Sequence, residues 1–324
     1  MKILITGGAG FIGSHLCERL LTLGHDLSVI DNFNDFYSPE LKRRNYAEIS
    51  ATALRLRRDL QLFEGDIRDL PFLRSTMQHA APEAVIHLAA MAGVRPSIER
   101  PGLYAEVNLI GTLNLLQAMN SIGVRRLLFA SSSSVYGNNP KVPFAEDDPV
   151  DTPVSPYAAT KKGGELLCHT WHHLYNISTA CLRFFTVYGP RQRPDLAIQK
   201  FTRMLSAGQP LPIYGDGTTS RDYTYIDDIV DGVVKALEWT AGEAAGYEIF
   251  NLGESKPVEL RRLVAVLEKE LGITAKLNQL PMQAGDVERT YADLGKSAAL
   301  LGYRPATAIE EGVARFIAWF REQT

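Results

Sequence analysis

Short apolar runs alternate along the chain with longer segments in which apolar residues recur at helical spacing. A run of four or five apolar residues bounded by turn residues is typical of a strand buried on both faces. Strands that alternate with helices form a parallel sheet with right-handed crossovers. The pattern therefore predicts an α/β fold with a doubly wound parallel sheet, whose first strands cover residues 3–5, 27–30, 60–63, 84–88 and 126–130.

A glycine-rich turn follows the first run, in the sequence KILITGGAGFIG. Gly7, Gly10 and Gly13 open a helical segment, and a turn without Cβ atoms lets the backbone approach a pyrophosphate at the helix start. The second run ends in Asp31, 18 residues past Gly13, where a carboxylate can accept hydrogen bonds from a ribose 2′-hydroxyl. These features favour a Rossmann-type dinucleotide site over an ordinary turn. They also favour NAD over NADP, because no Lys or Arg follows Asp31 until Lys42.

The carboxyl ends of the other predicted strands meet at the same rim, where ligands of such sheets bind. Asp66 would contact the adenine or cap a turn, and the small residues 89–90 would let the strand end pass close to a nicotinamide. Serines occupy positions 131–134. His87 lies inside an apolar run and is interpreted as a core histidine bonded by backbone rather than as a catalytic group.

Two segments connect the predicted strands. Residues 32–59 are polar and basic, and we expect a loop with a helical insertion whose charges form a solvated face. Residues 101–122 predict one long amphipathic helix.

A second informative stretch, SPYAATKKGGELLCHTWHHLY, places Tyr157 and Lys161 on one face of a helix that begins at Pro156. A phenol is a poor base at neutral pH, but a neighbouring ammonium and an oxidised nicotinamide would both favour the phenolate and lower its pKa. Three histidines on the same helix, at 169, 172 and 173, have no acidic or cysteine partner, and we expect no metal there.

Beyond residue 186 the composition becomes less regular. We interpret residues 1–186 as a dinucleotide-binding domain and residues 187–324 mainly as a smaller mixed α/β substrate-binding lobe, with some segments returning to the first domain. Asp227, Asp228 and Asp231 flank a helix start, where acids cap and complement the dipole, so we favour capping over a cation site.

Composition narrows the classes of function. The net charge of −3 over 324 residues argues against general affinity for nucleic acid. Three cysteines are too few for a disulfide framework or a zinc site. The sequence has no apolar run of 18 residues, and we expect no signal peptide before the first strand. We therefore expect no membrane association and a cytoplasmic location.

The motif TGGAGFIG, the set Ser132, Tyr157 and Lys161, and the segment SRDYTYIDD together resemble an extended short-chain dehydrogenase/reductase of the nucleotide-sugar epimerase/dehydratase family. The resemblance covers essentially the whole chain and implies a tightly bound NAD. It implies that Tyr157 is the base, that Lys161 holds the nicotinamide ribose and lowers the tyrosine pKa, and that Ser132 shares the substrate hydroxyl proton. The cofactor-binding residues that it implies are Gly7, Gly10, Phe11, Ile12, Gly13, Asp31, Asn32, Asp66, Ile67, Leu88, Ala89, Ala90, Asn108, Tyr157 and Lys161.

Within that family, the related 4,6-dehydratases carry an Asp-Glu pair after their Thr, because eliminating water needs an acid and a base. Here those positions are Ser133 and Ser134, which predicts that a 4-keto intermediate is reduced again, with net 4-epimerisation. The segments DNFNDFYSPELKRRN, AGVRPSIE, RFFTVYGPRQRPD and PMQAGD are most similar to UDP-glucuronate 4-epimerases.

A C6 carboxylate needs hydroxyl donors and a guanidinium, which Ser134, Thr186 and Arg193 can provide. The alternative interpretation of Arg193 is a charged side chain on a mobile loop, without a role in substrate binding. The resemblance assigns Arg221 to the diphosphate and Tyr214 to the uracil, with core packing as the alternative for Tyr214. The substrate-binding set is Ser133, Ser134, Thr186, Arg193, Tyr214, Arg221 and Asp286. Gln283 stands where many 4-epimerases have an Arg, which leaves a second phosphate contact open.

The expected reaction is therefore the reversible conversion of UDP-glucuronate to UDP-galacturonate. UDP-glucose or UDP-N-acetylglucosamine 4-epimerase, a nucleotide-sugar dehydratase or decarboxylase, and a non-enzymatic NAD-binding regulator are the alternatives. The resemblance also implies a homodimer through the helices that follow Pro101 and Pro156.

Overall fold

A computed structural model describes residues 1–242, 245–281 and 287–323. The strands within these ranges are β1 (Lys2–Thr6), β2 (Asp26–Asp31), β3 (Leu60–Glu64), β4 (Ala84–His87), β5 (Arg126–Ser132), β6 (Ser178–Phe184), β7 (Thr186–Tyr188), β8 (Leu211–Tyr214), β9 (Ser220–Tyr225), β10 (Tyr247–Leu252), β11 (Pro257–Glu259) and β12 (Leu277–Leu280). The helices are α1 (Phe11–Thr22), α2 (Pro39–Leu56), α3 (Leu70–Ala80), α4 (Val94–Glu99), α5 (Pro101–Ala105), α6 (Gly111–Ser121), α7 (Pro156–Tyr175), α8 (Ala197–Ser206), α9 (Ile226–Trp239), α10 (Leu260–Leu271), α11 (Gly295–Leu301) and α12 (Ile309–Glu322).

Seven parallel strands form the central sheet, in the order β10-β6-β5-β4-β1-β2-β3. The predicted doubly wound sheet is confirmed. The strand order reverses between β1 and β4, and a cleft opens at the carboxyl ends of the strands at such a switch point. The glycine turn after β1 lies at that point.

Apolar side chains on both faces of the sheet hold the helices in place. Ile3 and Ile5 of β1 pack into the core on the side of α1 and α9, while Leu4 packs with α3 and α6 on the opposite side. All three are at most 1% exposed. Successive strand side chains point to opposite faces, and full burial of each contributes about 1.5–3 kcal/mol. A continuous apolar run in the sequence is therefore what a sheet covered on both faces requires.

The chain beyond β6 contributes two smaller sheets and one strand of the large sheet. β7 pairs in parallel with β9, which pairs antiparallel with β11, and β8 pairs with β12. β10 lies beside β6 at the edge of the large sheet. The division into two domains at residues 186 and 187 stays a prediction.

Residues 101–121 are helical but do not form the single regular helix that was expected. A π-helical turn over Glu106–Ile110 separates α5 from α6. Within it, the Asn108 amide accepts a hydrogen bond from the Met91 N–H at 2.8 Å and donates to the Met91 carbonyl at 3.0 Å. The widened turn lets Asn108 hold the segment that follows β4. The spacing of apolar residues in the sequence does not predict such a turn.

The acids at the start of α9 have a different role from side-chain capping. Asp227 and Asp228 lie in its first turn, but no side chain in the described part of the chain caps the helix. Asp228 instead accepts hydrogen bonds from the N–H groups of Ala306 and Thr307, at 3.2 and 3.1 Å.

Among the described helices, none has both the length and the apolar character needed to cross a membrane.

Candidate active site

The glycine turn brings backbone rather than side chains to the rim of the sheet. Gly7 has a φ of 74°, and a Cβ there would lie 2.8 Å from the backbone N of Ala89. A Cβ at Gly13 would lie 2.3 Å from the Gly7 carbonyl oxygen. α1 begins after Gly10 with no side-chain cap, so among the described residues no side chain satisfies its first N–H groups. The turn fits the diphosphate of a dinucleotide, which needs close backbone and free donors.

Asp31 is fixed at the end of β2 by backbone donors. Its carboxylate accepts hydrogen bonds from Ala9 N–H at 3.0 Å and Phe33 N–H at 2.9 Å, and the residue is 8% exposed. Burial raises the pKa of Asp31, and the Phe33 N–H, the Lys42 ammonium and the Ala9 N–H oppose that rise. The carboxylate is held where an adenosine ribose would need an acceptor.

Lys42 does not belong to a solvated face, so that prediction for residues 32–59 is wrong at this position. Lys42 is 5% exposed, and its Nζ donates to the carbonyl oxygen and to Oδ1 of Asn34, at 2.7 and 2.8 Å. α2 packs against α1 and turns this side chain into the cleft beside Asp31. The sequence argument against NADP was that no Lys or Arg near Asp31 could pair with a 2′-phosphate. Because Lys42 is such a cation, that argument is weakened, and the choice of NAD over NADP rests on the Asp31 carboxylate itself.

Asp66 and Asn108 both take part in local hydrogen bonds. Asp66 accepts from the backbone N–H and the Nε of Arg68 at 2.9 and 3.0 Å, and its second oxygen accepts from Asn32 at 3.0 Å. The hydrogen bond from Arg68 lowers the pKa of Asp66. Asp66 therefore caps its own turn and also faces the cleft, whereas Asn108 holds backbone behind the cleft wall.

A cavity of about 470 Å³ extends along this rim. Most of the predicted residues line it: Gly7, Gly10, Phe11, Ile12, Gly13, Asp31, Asn32, Asp66, Ile67, Leu88, Ala89, Ala90, Ser132, Ser133, Ser134, Tyr157, Lys161, Thr186, Arg193 and Arg221. Asn108 and Tyr214 are not among the lining residues. Asp286 and Gln283 lie outside the described residues.

Tyr157 and Lys161 reach the cavity from the first turns of α7. Ser155 caps that helix by accepting from Ala158 N–H at 3.1 Å, and Pro156 occupies its first position. Lys161 is 4% exposed and donates to the Ala130 carbonyl oxygen at 2.6 Å, with its Nζ 5.9 Å from the centre of the Tyr157 ring. The end of β5 and the start of α7 thus bring together groups that are separated in sequence.

The electrostatics of Tyr157 differ from the expectation. Burial raises its pKa, while a hydrogen bond with Ser132 and the positive charge of Arg193 lower it. Lys161 is not among the groups that lower it, and burial lowers the pKa of Lys161 itself to about 8. In the chain alone, burial therefore opposes the phenolate, and a further positive charge in the cleft would favour it.

The cavity around Ser132 also carries further hydroxyls and a guanidinium. Ser134 donates from its backbone N–H and from its Oγ to the Ser132 Oγ, at 3.2 and 3.0 Å. The Arg193 side chain is 17% exposed, pairs with both oxygens of Asp195 at 2.7 and 3.0 Å, and lies 5.3 Å from the Phe36 ring centre. A cation held in this way, beside hydroxyls, suits a carboxylate.

Arg221 and Tyr214 lie in the smaller sheets. Arg221 of β9 faces the cavity and donates to the Ser220 and Glu288 carbonyl oxygens, at 3.0 and 3.4 Å. Tyr214 at the end of β8 is half-buried, and the Arg95 guanidinium lies 5.3 Å from its ring centre. A contact between Tyr214 and a uracil stays a prediction.

The family model for GDP-mannose 4,6 dehydratase matches residues 4–316. The chain belongs to this family. The resemblance to an epimerase/dehydratase of the short-chain dehydrogenase/reductase type is thereby confirmed.

Several epimerases are similar to the chain over its full length. The UDP-glucuronate 4-epimerase of Thermodesulfobacterium geofontis is 44% identical over 321 residues, which cover 98% of this chain and 96% of that protein. A solved structure of UDP-glucuronic acid 4-epimerase from Bacillus cereus, in complex with UDP-glucuronic acid and NAD, has a TM-score of 0.91 and 37% identity and covers 100% of both chains. UDP-glucose 4-epimerase from Thermotoga maritima, solved with UDP-glucose, has a TM-score of 0.88 and 32% identity, with 100% and 99% covered.

Several residues of this family member line the cavity without having been identified from the sequence. They are Asn34, Phe36, Tyr37 and Lys42, all from the segment predicted to be solvated. The Tyr37 hydroxyl is buried and has no hydrogen-bond partner among the described residues. The aromatic pair inside a polar segment was the available signal, because two adjacent aromatic side chains in a solvated loop are unusual.

A buried ion pair supports the catalytic end of the cavity and was also missed. Glu165, one turn beyond Lys161 on α7, is fully buried and accepts from the Arg183 Nε at 2.8 Å and the Ser131 Oγ at 2.7 Å. These bonds tie α7, β5 and β6 together directly behind Ser132. No local spacing signals this pair, because Glu165 and Arg183 lie on different elements, 18 residues apart.

The histidines have structural partners. His87 is 2% exposed, and its two ring nitrogens contact the Thr6 and Thr112 hydroxyls at 2.7 and 3.0 Å, so its partners are side chains rather than the backbone that was expected. Burial lowers the pKa of His87 to about 3, which keeps the ring neutral in the core. On α7, the rings of His169 and His172 pack against Tyr247.

Proposed function

We propose that this chain is an NAD-dependent UDP-glucuronate 4-epimerase, which interconverts UDP-glucuronate and UDP-galacturonate through a 4-keto sugar. One observation carries the proposal: the phenol of Tyr157 and the guanidinium of Arg193 face the same cavity, at the rim where the glycine turn lies. The carbohydrate that fits this arrangement has a hydroxyl to deprotonate and a carboxylate to pair. The relatives that are UDP-glucuronate 4-epimerases over their full length support this choice.

NAD fits the dinucleotide half. The glycine turn and the start of α1 would hold its diphosphate, and Asp31 would accept from its adenosine ribose. Bound there, the oxidised nicotinamide would supply a hydride acceptor and a positive charge. That charge would complement Arg193 and Ser132 in lowering the pKa of Tyr157, which burial raises.

The chain's own residues would move the proton and hold the sugar. Tyr157 would take the proton of the C4 hydroxyl as general base, and Ser132, within hydrogen-bond reach of the phenol, would share it. Lys161 would face the nicotinamide ribose from the inner wall. The same phenol would return the proton after the keto sugar has turned its other face.

The serines after Ser132 favour epimerisation over elimination. Ser133 and Ser134 carry no carboxyl group, so this edge of the cavity offers neither an acid nor a base for removing water from C5 and C6. Thr186, Ser134 and Arg193 would instead bind the C6 carboxylate. Arg221 would bind the diphosphate of the UDP group.

Subunit arrangement and location are part of the proposal. Exposed apolar side chains occur on the helical segments that follow Pro101 and Pro156, where Ile110 is 50% exposed and Leu166 and Leu174 are each 57% exposed. Ile98, just before Pro101, is also 50% exposed. Such a surface favours burial against a second copy. We propose a cytoplasmic homodimer, and sedimentation of the purified protein as a monomer only would remove the dimer.

The decisive experiment is a substrate panel with product identification by proton NMR. The purified chain, supplied with UDP-glucuronate, should yield UDP-galacturonate and reach the same mixture from either side. Faster conversion of UDP-glucose or UDP-N-acetylglucosamine would overturn the substrate assignment. A 4-keto-6-deoxy sugar or a pentose product would overturn the reaction class.

A further inference from the structure

The loop that carries Arg193, residues 189–196, is fastened to its own strand and to the next helix. Gln192 is 3% exposed, its Nε2 donates to the Val187 carbonyl oxygen at 3.1 Å, and its Oε1 accepts from Gln199 N–H at 3.2 Å. These bonds join the loop to β7 and to α8. They do not connect the loop to the dinucleotide half of the cavity.

Arg191 makes that second connection. Its backbone has a φ of 61°, in the left-handed region that non-glycine residues seldom adopt. From there its guanidinium donates to both oxygens of Glu18 on α1, at 2.8 and 3.2 Å, and to Glu48 on α2. The Arg191 side chain is 12% exposed, against 25% and 50% for the two acids. Unusual backbone geometry together with a forked ion pair indicates a conformation fixed by surrounding contacts.

His15 adds a neutral contact at the same place. Its Nε2 lies 2.9 Å from the Pro190 carbonyl oxygen, which can only accept, so the ring donates. Burial and the charge of Arg191 lower the pKa of His15 to about 4, which keeps the ring neutral at physiological pH. The residue before Arg191 is thus also tied to α1.

α1 links the two halves of the cavity. Its first turn belongs to the glycine turn, and its middle carries His15 and Glu18. The helix that begins at the proposed diphosphate site is therefore the one that fixes the loop two residues before Arg193.

We propose that Arg191, held by Glu18 and Glu48, is a positioning residue that places Arg193 for the C6 carboxylate and thereby contributes to selection of uronate sugars. The inference rests on the proposed function, because it takes Arg193 as the carboxylate partner. Arg191 itself faces α1 and α2 and is not among the residues that line the cavity. Its effect on substrate would be transmitted through the loop.

A purely structural role predicts a different result. Partly exposed ion pairs contribute little to global stability, so loss of this one should leave the fold intact. If Arg191 positions Arg193, its loss should weaken binding of the carboxylate-bearing substrate and spare binding of UDP. If it only stabilises the fold, UDP and UDP-glucuronate should be affected equally.

The test compares Arg191→Met, Arg191→Lys and Glu18→Gln in the holoenzyme. The matched control is Arg262→Met, which removes an ion pair between α10 and α12, with Arg262 Nη2 2.6 Å from Glu310 Oε1. Calorimetry with UDP-glucuronate, UDP-glucose and UDP gives the three Kd values, and steady-state kinetics separates KM from kcat. Thermal melting reports the integrity of each variant.

For Arg191→Met we expect KM and Kd for UDP-glucuronate to rise roughly tenfold, as on partial loss of a charge-assisted hydrogen bond. The Kd for UDP and the melting temperature should match those of Arg262→Met. Arg191→Lys and Glu18→Gln should show smaller increases. In an Arg193→Met background, Arg191→Met should have no further effect, because a residue that acts through Arg193 has nothing left to position.

Unchanged UDP-glucuronate binding in Arg191→Met would overturn the inference, as would equal losses for UDP and UDP-glucuronate or full additivity with Arg193→Met. A wild-type chain that binds UDP-glucose as tightly as UDP-glucuronate would overturn the proposed function and the inference with it. The wild-type comparison thus separates the two failures.

Discussion

In the dinucleotide half of the cavity the wall is backbone, whereas in the sugar half it consists of side chains held by other side chains. At Gly7 and Gly13 the shape depends on missing Cβ atoms, and the donors are N–H groups at a helix start. At Ser134 and Arg193 the shape depends on rotamers fixed by Ser132 and Asp195. Added atoms should therefore damage the first half, and removed functional groups the second.

Removing the general base should have the largest effect on the sugar half. Tyr157→Phe keeps the ring and its edge contact with Tyr104 but loses the phenol. Epimerisation should fall by about 10²–10⁴-fold, while NAD and UDP-glucuronate remain bound. Product formation followed by NMR checks this, and a rate close to wild type would refute the assignment of the base.

Arg193→Met should come next, because it removes the cation while keeping much of the side-chain length. We expect kcat/KM for UDP-glucuronate to fall by about 10–100-fold, the range for a lost hydrogen bond between charged groups. UDP binding serves as the internal control and should be unchanged. An equal loss of UDP affinity would place Arg193 at the diphosphate instead.

In the dinucleotide half, Gly13→Ala adds one methyl where a Cβ would lie 2.3 Å from the Gly7 carbonyl oxygen. Strain of this kind costs about 1–3 kcal/mol and should weaken NAD retention by roughly 10–100-fold. Cofactor content after gel filtration measures it. Gly102→Ala is the control and should retain NAD, because an added Cβ there would meet no other part of the described structure within 4 Å.

The pH dependence of turnover tests the side-chain network around the phenol. The rate requires the phenolate, and the hydrogen bond from Ser132 lowers the pKa that burial raises. Ser132→Ala removes that hydrogen bond, so the pKa of Tyr157 should rise and the acidic limb of the kcat profile should move to higher pH. A limb that stays in place or moves to lower pH would contradict the assignment.

Lys42→Met should have the smallest effect, since it changes a side chain in the half where backbone forms most of the wall. It removes two hydrogen bonds to Asn34 at the edge of the dinucleotide site. We expect NAD affinity to fall by roughly 3- to 10-fold. Exposed Arg44 on the same helix provides the comparison, and Arg44→Met should leave the affinity unchanged.

The sequence by itself determined the first strands of the sheet and the glycine turn, because both depend on residues that are close along the chain. Apolar runs such as residues 3–5 predict buried strands from local pattern alone. Likewise, Gly7, Gly10, Gly13 and Asp31 belong to one strand-turn-helix-strand unit. Tyr157 and Lys161 share a helix face by spacing, so their proximity also followed directly.

Only the tertiary structure decided the surroundings of those residues. The burial of Lys42 follows from the packing of α2 on α1, and the raised pKa of Tyr157 follows from how deeply α7 packs against β5. The contacts of Arg191 with Glu18 and Glu48 join residues more than 140 positions apart. Desolvation and long-range ion pairs depend on which surfaces meet, and no local pattern of polar and apolar positions carries that information.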